Sequence, residues 1–217
     1  MLAEKLTDLK KDLAEYAALI ETMVRDGILG LINQDADKLQ NVPDKYEPRA
    51  NLKEIEIDEK CVALLAQHQP KAKDLRTVLM ALGMNRDLER MGDHAVNIAR
   101  NALCLLERPA LKPPFDLPLM SEVAGSMLSD AISAFVREDP ALGRNVCARD
   151  DQVDELRGRI LHELIACMSA DVSTIEGALH IIKVSDNLER IADLATNIGE
   201  EVIFMVEGRV LKHHLGE

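Results

Sequence analysis

Hydrophobic residues recur at three- and four-residue spacing along most of the chain, which is the pattern of amphipathic helices packed in a bundle. Proline and glycine interrupt this pattern at only a few places. The spacing predicts six long helices and almost no strand. The first helix ends near residue 33, the second covers about 35–69, the third 74–107, the fourth 119–137, the fifth 140–168 and the sixth 173–208.

The clearest break in the pattern lies in the middle of the chain. Residues 108–118 contain four prolines, which cannot donate a backbone hydrogen bond and therefore favour a linker. We expect two domains, residues 1–108 and 119–217, joined by a proline-rich linker over residues 109–118. Each domain contains three of the predicted helices.

A repeated segment relates the two halves of the chain. Residues 88–98 return as residues 188–198 with seven of eleven positions identical, and both copies carry the order Leu-Glu-Arg-x-x-Asp. A repeat of this kind indicates that one structural unit is built twice. The predicted fold class is therefore all-α, with two pseudo-symmetric three-helix bundles made of six long helices.

Composition supports this class and narrows the function. Hydrophobic residues make up 47% of the 217 residues, aromatic residues only 2%, and tryptophan is absent, so the core is aliphatic, as in helical bundles. The net charge of −12 argues against nucleic acid as a partner and against direct docking on anionic lipid. The four cysteines are scattered, and neither a signal-peptide pattern nor an apolar run that would span a bilayer is evident. These features predict a cytoplasmic protein.

Each copy of the repeat carries two acids four residues apart on one helix face: Glu89 and Asp93 in the first copy, Glu189 and Asp193 in the second. The spacing by itself carries no information. Acids are about one residue in six, so chance gives roughly six or seven such pairs, and the chain has seven. Only pairs that recur at equivalent places in both halves indicate a site.

In the second half, helix register places another acidic pair opposite the repeat. The fifth and sixth helices turn near residue 171, and at about 1.5 Å per residue Asp150 and Asp154 lie at nearly the same height as Glu189 and Asp193. Four carboxylates are therefore expected to meet across one helix interface.

In the first half, the same reasoning selects Glu47 and Asn51, which lie opposite the first copy of the repeat across a turn near residue 70. Glu54 and Asp58 also have the four-residue spacing, but they lie about seven residues, roughly 10 Å, out of register. We interpret these two acids as residues outside the site.

Four facing carboxylates repel one another and lose hydration, so they must take up protons, stay wet or bind a cation. Oxygen ligands without cysteine or histidine suit hard or borderline cations such as Mg²⁺, Ca²⁺, Mn²⁺ or iron. We therefore expect the protein to bind divalent or iron-type metal ions, whose identity stays open. His94 directly follows Asp93 but points about 100° away around the helix, so we interpret it as an inter-helix or surface residue.

No arrangement of residues predicts an enzyme. Di-iron oxidases built on helical bundles use a Glu-x-x-His motif, whereas the residues three positions before His94 and His162 are Met91 and Arg159. No arrangement of serine, cysteine or histidine typical of nucleophilic catalysis is present either. We expect a protein without catalytic activity.

At these residues the chain resembles the PhoU family, the phosphate-uptake regulators of bacteria and archaea. The matching segments are residues 69–76, 87–99, 150–154 and 187–193, and the resemblance covers nearly the whole chain. It implies two three-helix bundles with acidic Glu/Asp-x-x-x-Asp motifs that hold metal ions, in some members multinuclear iron clusters. The implied metal ligands are Asp150, Asp154, Glu189 and Asp193 in the second half, and Glu89, Asp93, Glu47 and Asn51 in the first.

The resemblance also implies a function. Members of the family connect the phosphate ABC transporter to a sensor histidine kinase and restrain phosphate-starvation signalling when phosphate is plentiful. By resemblance we expect these two partners, membrane association only through them, and a homodimer. The first site departs from the family pattern because Asn51 replaces an acid and Pro48 interrupts the motif, so we expect it to bind metal more weakly than the second.

Two alternatives stay open at this level. The protein could be an accessory subunit of a secondary phosphate carrier, a role held by relatives of the family. It could also be a metal-free helical scaffold whose acidic ladders line a wet groove for a partner.

Overall fold

The structure is a computed structural model that describes residues 2–108, 114 and 116–208. Within these residues the chain forms α-helices and no β-strand, so the predicted all-α class is confirmed. The helices are α1 Leu2–Asn33, α2 Ala36–Asn41, α3 Glu47–His68, α4 Ala72–Leu106, α5 Asp116–Arg137, α6 Pro140–Cys147, α7 Asp150–Ala170 and α8 Ile175–Glu207. A π-helical turn, Val42–Tyr46, joins α2 to α3, and a 3-10 turn, Val172–Thr174, precedes α8.

Six of these helices are long, as predicted, but the second and fifth predicted helices are each divided in two. Pro43 lies at the start of the π-helical turn, and Pro48 lies in the first turn of α3, where its missing N–H group is not needed. The fifth predicted helix ends at Cys147 and resumes at Asp150. The break makes Asp150 the first residue of α7, at the edge of the predicted acidic cluster.

Some predicted segments fall outside the described residues. They include most of the predicted linker, residues 109–113 and 115, and the tail from residue 209 onward. Helix α5 begins at Asp116, which is inside the predicted linker. The division into two domains around residues 109–118 therefore stays a prediction.

Helices α4 and α8, which carry the two copies of the repeat, form the centre of the fold. Helix α4 packs against α1 and α3, α8 packs against α5, α6 and α7, and the two central helices pack against each other. The repeat buries the same positions in both copies. The fully buried residues are Leu88, Met91, Ala95 and Ile98 in α4 and their counterparts Leu188, Ile191, Ala195 and Ile198 in α8. The apolar stripe of each repeat thus fixes the direction in which its acids point.

Two histidine–asparagine pairs cross the interface between α4 and α8. His94 Nδ1 lies 2.8 Å from Asn187 Oδ1, and His180 Nδ1 lies 2.9 Å from Asn101 Oδ1. The residue number on α8 decreases as the residue number on α4 increases, so the two helices run antiparallel. His94 lies between two helices, in agreement with the prediction that it is an inter-helix or surface residue.

A buried carboxyl group also lies in this interface. Glu201 of α8 faces Gly83 of α4, where a Cβ atom would lie 3.2 Å from both carboxyl oxygens. Burial raises the pKa of Glu201 to about 7, the negative charge of Asp87 adds to this shift, and the positive charge of Arg86 opposes it. Near neutral pH this carboxyl group therefore exists in both its protonated and its charged form.

Helix α5 is the one helix in the described part of the chain that is long and apolar enough to cross a membrane by length and composition. No such run was expected from the sequence. Met120, Met127 and Phe135 of this helix are fully buried, and α5 packs against α1, α6, α7 and α8. The apolar character of α5 is therefore explained by its packing in the core.

Helices α6 and α8 approach each other at a pair of glycines. A Cβ atom on Gly143 would lie 2.9 Å from the backbone oxygen of Gly199, and a Cβ atom on Gly199 would lie 2.9 Å from the backbone oxygen of Gly143. Real Cβ contacts with backbone are longer than this. The close approach therefore requires glycine on both helices.

We expect Gly199→Ala to destabilise the protein because the added methyl group would collide with a backbone oxygen that cannot rotate away. Overpacking of this kind costs about 1–3 kcal/mol. The matched control is Gly158→Ala in α7, where a Cβ atom meets nothing within 4 Å and the change adds about 0.5–1 kcal/mol of stability. Urea denaturation measures both changes. A Gly199→Ala variant as stable as the unaltered protein would contradict the close approach.

Candidate functional site

In the second half of the chain, the four carboxylates that were predicted to lie at the same height along α7 and α8 are near one another. Asp150 and Asp154 come from the first turns of α7, and Glu189 and Asp193 come from the middle of α8. Burial raises the pKa of Asp150, Glu189 and Asp193, and the neighbouring carboxylates of the same group raise these pKa values further. Thr196 Oγ1 donates a hydrogen bond to Asp150 Oδ1 over 3.4 Å. We call these four acids the second acidic cluster.

Two arginines offset part of this negative charge. Arg157 and Arg190 both lower the pKa of Glu189 and Asp193, against the effect of burial. Arg157 also donates a hydrogen bond from its Nε to Asp186 Oδ1 over 2.8 Å, so its charge is shared between Asp186 and the cluster. The second acidic cluster therefore keeps an excess of negative charge that a cation could balance.

The first repeat also gathers acids, but in a different set from the predicted one. Burial raises the pKa of Glu89, with further contributions from Asp93 and Glu54. Burial likewise raises the pKa of Glu54, with further contributions from Asp58 and Asp93. We call Glu54, Glu89 and Asp93 the first acidic cluster. The charge of Glu54 thus reaches the acids of the repeat, while its exclusion from the metal site stays a prediction.

Asp58 lies one turn beyond this cluster and has a partner of its own. Its Oδ1 accepts a hydrogen bond from Asn85 Nδ2 over 2.8 Å, and the same amide group donates to the backbone oxygen of Glu54 over 2.9 Å. Asp58 therefore contributes charge to the surroundings of Glu54, while its carboxylate is held by α4.

The influence of Glu54 on the acids of the repeat has a physical cause. The register derived from the sequence assumed that α3 and α4 are straight helices that meet at one turn. The connection between them instead passes through left-handed backbone at Gln69 and Ala72. In addition, the Cα–Cβ bonds of a helix tilt toward its N-terminus, so a long glutamate covers a spot below its own Cα atom. For Glu54 this tilt points toward the repeat.

Glu47 and Asn51 have other surroundings. Glu47 Oε2 lies 3.8 Å from Arg100 Nη2, and Asn51 is exposed to solvent. The carboxylates that raise the pKa of Glu89 are Asp93 and Glu54, and Glu47 is not among them. The assignment of Glu47 and Asn51 as metal ligands stays a prediction.

Tyr16 of α1 lies near the first acidic cluster, which the sequence did not reveal. Its side chain is fully buried, and its hydroxyl group has no hydrogen-bond partner among the described residues. Burial raises the pKa of Tyr16, and the charges of Glu54, Glu89 and Asp93 raise it further. The hydroxyl group therefore keeps its proton and lies close to the three acids. A tyrosine on the apolar stripe of α1 was the only available signal.

Both clusters fit a hard cation by the chemistry of their donors, which are carboxylate oxygens with unbalanced negative charge. Within residues 2–108, 114 and 116–208, no three histidine, cysteine, aspartate or glutamate side chains stand close enough together to hold a metal ion as they are. A cation would therefore have to draw the side chains of a cluster together by rotation about their χ angles.

We expect Asp193→Asn to stabilise the metal-free protein at about pH 8, because it removes one of the mutually repelling charges. Because these pKa values are raised, the folded protein binds protons more tightly than the unfolded chain. The stability of the folded protein therefore decreases as the pH rises from the ordinary pKa values of these carboxyl groups through their raised values. The gain is only about 0.5 kcal/mol, since these carboxylates are partly exposed and screened.

Thermal unfolding in the presence of a chelator, at several pH values, measures this effect. The control is Glu163→Gln, which removes the same charge from an exposed position of α7. A lower stability of Asp193→Asn at about pH 8 would show that the carboxylates do not repel one another in the folded protein.

Comparison with known proteins agrees with this architecture. Residues 13–102 and residues 117–202 each match the PhoU domain, so that one match falls on each repeat. The chain is 35% identical over 217 residues to the phosphate-specific transport system accessory protein PhoU homolog of Aquifex aeolicus, covering 100% of this chain and 98% of the relative. It is also 35% identical over 210 residues to the homolog of Pseudomonas aeruginosa, covering 96% of this chain and 86% of the relative.

Solved structures show the same fold. The crystal structure of PhoU from Pseudomonas aeruginosa superposes with a TM-score of 0.90 at 34% identity, covering 96% of this chain and 100% of that one. The phosphate transport system regulatory protein PhoU from Streptococcus pneumoniae gives a TM-score of 0.89 at 26% identity, with coverage of 98% and 100%. With both repeats matched and most of the length of these relatives covered, the chain belongs to the PhoU family.

Proposed function

We propose that this protein is a non-catalytic adaptor that links a phosphate ABC transporter to a sensor histidine kinase. It restrains phosphate uptake and phosphate-starvation signalling when phosphate is plentiful. The observation that carries the proposal is the match of both repeats to the PhoU domain, together with relatives of nearly the same length that are named for the phosphate-specific transport system.

The chemistry of the cysteines supports a role without catalysis. Burial raises the pKa of the Cys61 thiol to about 12 and that of the Cys147 thiol to about 11. A thiol with such a pKa is protonated at neutral pH and is a poor nucleophile. The charged groups of the candidate site are carboxylates, which suit the binding of cations and of basic partner surfaces.

The proposal includes metal binding at the second acidic cluster. Asp150, Asp154, Glu189 and Asp193 would supply oxygen ligands, and the cation would offset the burial and the mutual repulsion that raise the pKa of Asp150, Glu189 and Asp193. A bound cation would also tie the start of α7 to the middle of α8. Metal loading could in this way stiffen the second bundle for contact with a partner.

The protein is proposed to act in the cytoplasm as a homodimer and to reach the membrane only through its partners. Its formal net charge of −12 opposes direct attraction to anionic lipid head groups. Its apolar α5, the helix that passes the length and composition test for a membrane span, has the buried side chains of a core helix.

Deletion of the gene in its native host tests the regulatory role. We expect phosphate-starvation genes to be expressed at high phosphate, because the restraint on the kinase is lost, and we expect the intact gene to restore repression. Reporter expression measures the effect, and affinity purification from phosphate-replete cells identifies the partners. Unchanged repression together with recovery of neither transporter nor kinase would refute the adaptor role.

Elemental analysis after reconstitution tests the metal site. We expect the purified protein to bind divalent or iron-type metal, and Asp154→Ala with Asp193→Ala to lose most of the metal held by the second cluster, because half of its carboxylates are gone. The control is Glu155→Ala with Glu163→Ala, which removes two exposed acids from α7. Equal metal content in the two double variants would show that the cluster does not bind the metal.

A further inference from the structure

Helix α3 carries apolar side chains on the face that points away from the core. Leu52, Ile55 and Val62 are 61%, 54% and 61% exposed, and their three- and seven-residue spacing places them in one row along the helix. Single exposed apolar residues are normal on a protein surface, whereas a group of them indicates a contact surface. We call these three residues the outer apolar row.

The outer apolar row is not needed for the packing of the first bundle. Helix α3 packs on α1 and α4, and the buried side chains of this contact include Ile57, Cys61 and Leu64. At about 100° per residue these side chains lie on the side of the helix opposite the row. Helix α3 is therefore apolar on two opposite faces, and only the inner face has a partner within the described part of the chain.

The free charges beside the row are negative. Glu56 and Glu59 are exposed, and neither has an ion pair or a hydrogen bond among the described residues. The lysines of α3 do not offset this charge, because both pair with acids of α1. These pairs are Lys53 with Glu15 and Lys60 with Asp12. The outer face of α3 thus combines an apolar row with unbalanced negative charge.

A second copy of the chain is a poor partner for this face. Glu59 lies in the row between Ile55 and Val62, so it would face its own copy in a parallel pair of α3 helices. In an antiparallel pair centred on the row, Glu56 and Glu59 of both copies would meet near the middle. Like charges that face each other across an interface are unfavourable. The homodimer proposed above would therefore use another surface.

The size of the row suits a helix as its partner. Ten residues separate Leu52 from Val62, which is about 15 Å or three helical turns. An amphipathic helix presents apolar residues at the same spacing and can lie along such a row. Lysine or arginine beside its apolar stripe would meet the free carboxylates of α3.

We propose that the outer apolar row of α3 docks a basic amphipathic helix of a partner protein. The apolar stripe of that helix packs along Leu52, Ile55 and Val62, and its basic residues pair with Glu56 and Glu59. The proposal rests on the adaptor role for the existence of a protein partner, and it adds the surface of this chain that the partner contacts and the chemistry of the segment that binds there.

A synthetic peptide tests the apolar part of the surface. The labelled probe has about three heptads, with leucine at the a and d positions and lysine elsewhere, and fluorescence anisotropy at physiological salt measures its binding to the full chain. We expect Leu52→Ser with Val62→Ser to weaken binding about 10-fold or more, because two apolar anchors are lost. Circular dichroism and thermal unfolding confirm that the variant is folded.

The matched control for the apolar anchors is Ile165→Ser with Leu179→Ser, which removes two exposed apolar side chains from α7 and α8. This control should change binding by less than about two-fold. A peptide of the same composition in scrambled order, which has no apolar stripe, should bind about 10-fold more weakly than the probe.

A second pair of variants tests the charges, since a net charge of −12 attracts any basic peptide to some degree. Glu56→Gln with Glu59→Gln should weaken binding of the probe about 3- to 10-fold. Glu155→Gln with Glu163→Gln changes the net charge by the same amount at exposed positions of α7, and it should have a clearly smaller effect.

Reporter expression in the native host separates this proposal from the adaptor role. We expect Leu52→Ser with Val62→Ser, at normal abundance, to lose repression at high phosphate as the deletion does. If the deletion removes repression and this variant keeps it, the row is not the partner surface and the adaptor role stands. If the deletion leaves repression intact, the adaptor role fails, and binding of the probe still decides whether the row docks a basic helix.

Other results would also overturn the proposal. Equal effects of the variants and their matched controls, or equal binding of the scrambled peptide, would show that attraction of the probe is non-specific. A change from dimer to monomer in Leu52→Ser with Val62→Ser, seen by sedimentation velocity, would assign the row to a second copy of the chain. Binding to vesicles of phosphatidylethanolamine and phosphatidylglycerol that this variant loses would assign the row to a membrane surface.

Discussion

The antiparallel contact of α4 with α8 is the constraint on which the rest of the molecule depends. Each of these helices must bury one apolar stripe between its neighbours, and the stripes at Leu88–Ile98 and Leu188–Ile198 do so at equivalent positions. Once these stripes are buried, the acids between them lie off the core on the side of the outer helix of their own repeat, where Asp93 and Asp193 stay exposed to solvent. The acidic clusters are therefore a consequence of core packing, with α3 and α7 supplying the remaining carboxylates.

The interface between α4 and α8 also contains polar groups, which a purely apolar interface would lack. His94 and His180 each bond to an asparagine of the opposite helix, which fixes the register of the two repeats. Glu201 is different because it has a buried oxygen without a partner among the described residues and a pKa of about 7. Its charged form is disfavoured at this place, so its contribution to stability falls as the pH rises between its ordinary pKa and about 7. Contact between the repeats is thus sensitive to protonation at a position on α8 about two helical turns beyond Asp193.

The sequence was sufficient for features that depend on periodicity and repetition. Leu88 and Leu188 mark equivalent buried positions, and Asp154 and Asp193 both raise the pKa of Asp150 across the helix interface that the sequence selected. The sequence was insufficient where side-chain direction or backbone detail decides the outcome. The influence of Glu54 on the first repeat was not anticipated because its tilt and the left-handed residues of the turn after α3 are invisible to a count of residues. The break before Asp150 was missed because no proline or glycine marks it.

The two clusters solve the same electrostatic problem in different ways. In the second cluster, repulsion among four acids is eased by Arg157 and Arg190, charged groups that compete with any cation for the same carboxylates. In the first cluster, the charges of three acids act on a buried neutral hydroxyl group, which can donate one hydrogen bond but cannot neutralise charge, and Arg90 lowers the pKa of Glu89. A cation proposed for the first cluster would therefore meet fewer ligands but also one competing arginine instead of two. If both clusters bind metal, differences in ligand number and in competing charge, more than the identity of the repeat motif, would set how their affinities compare.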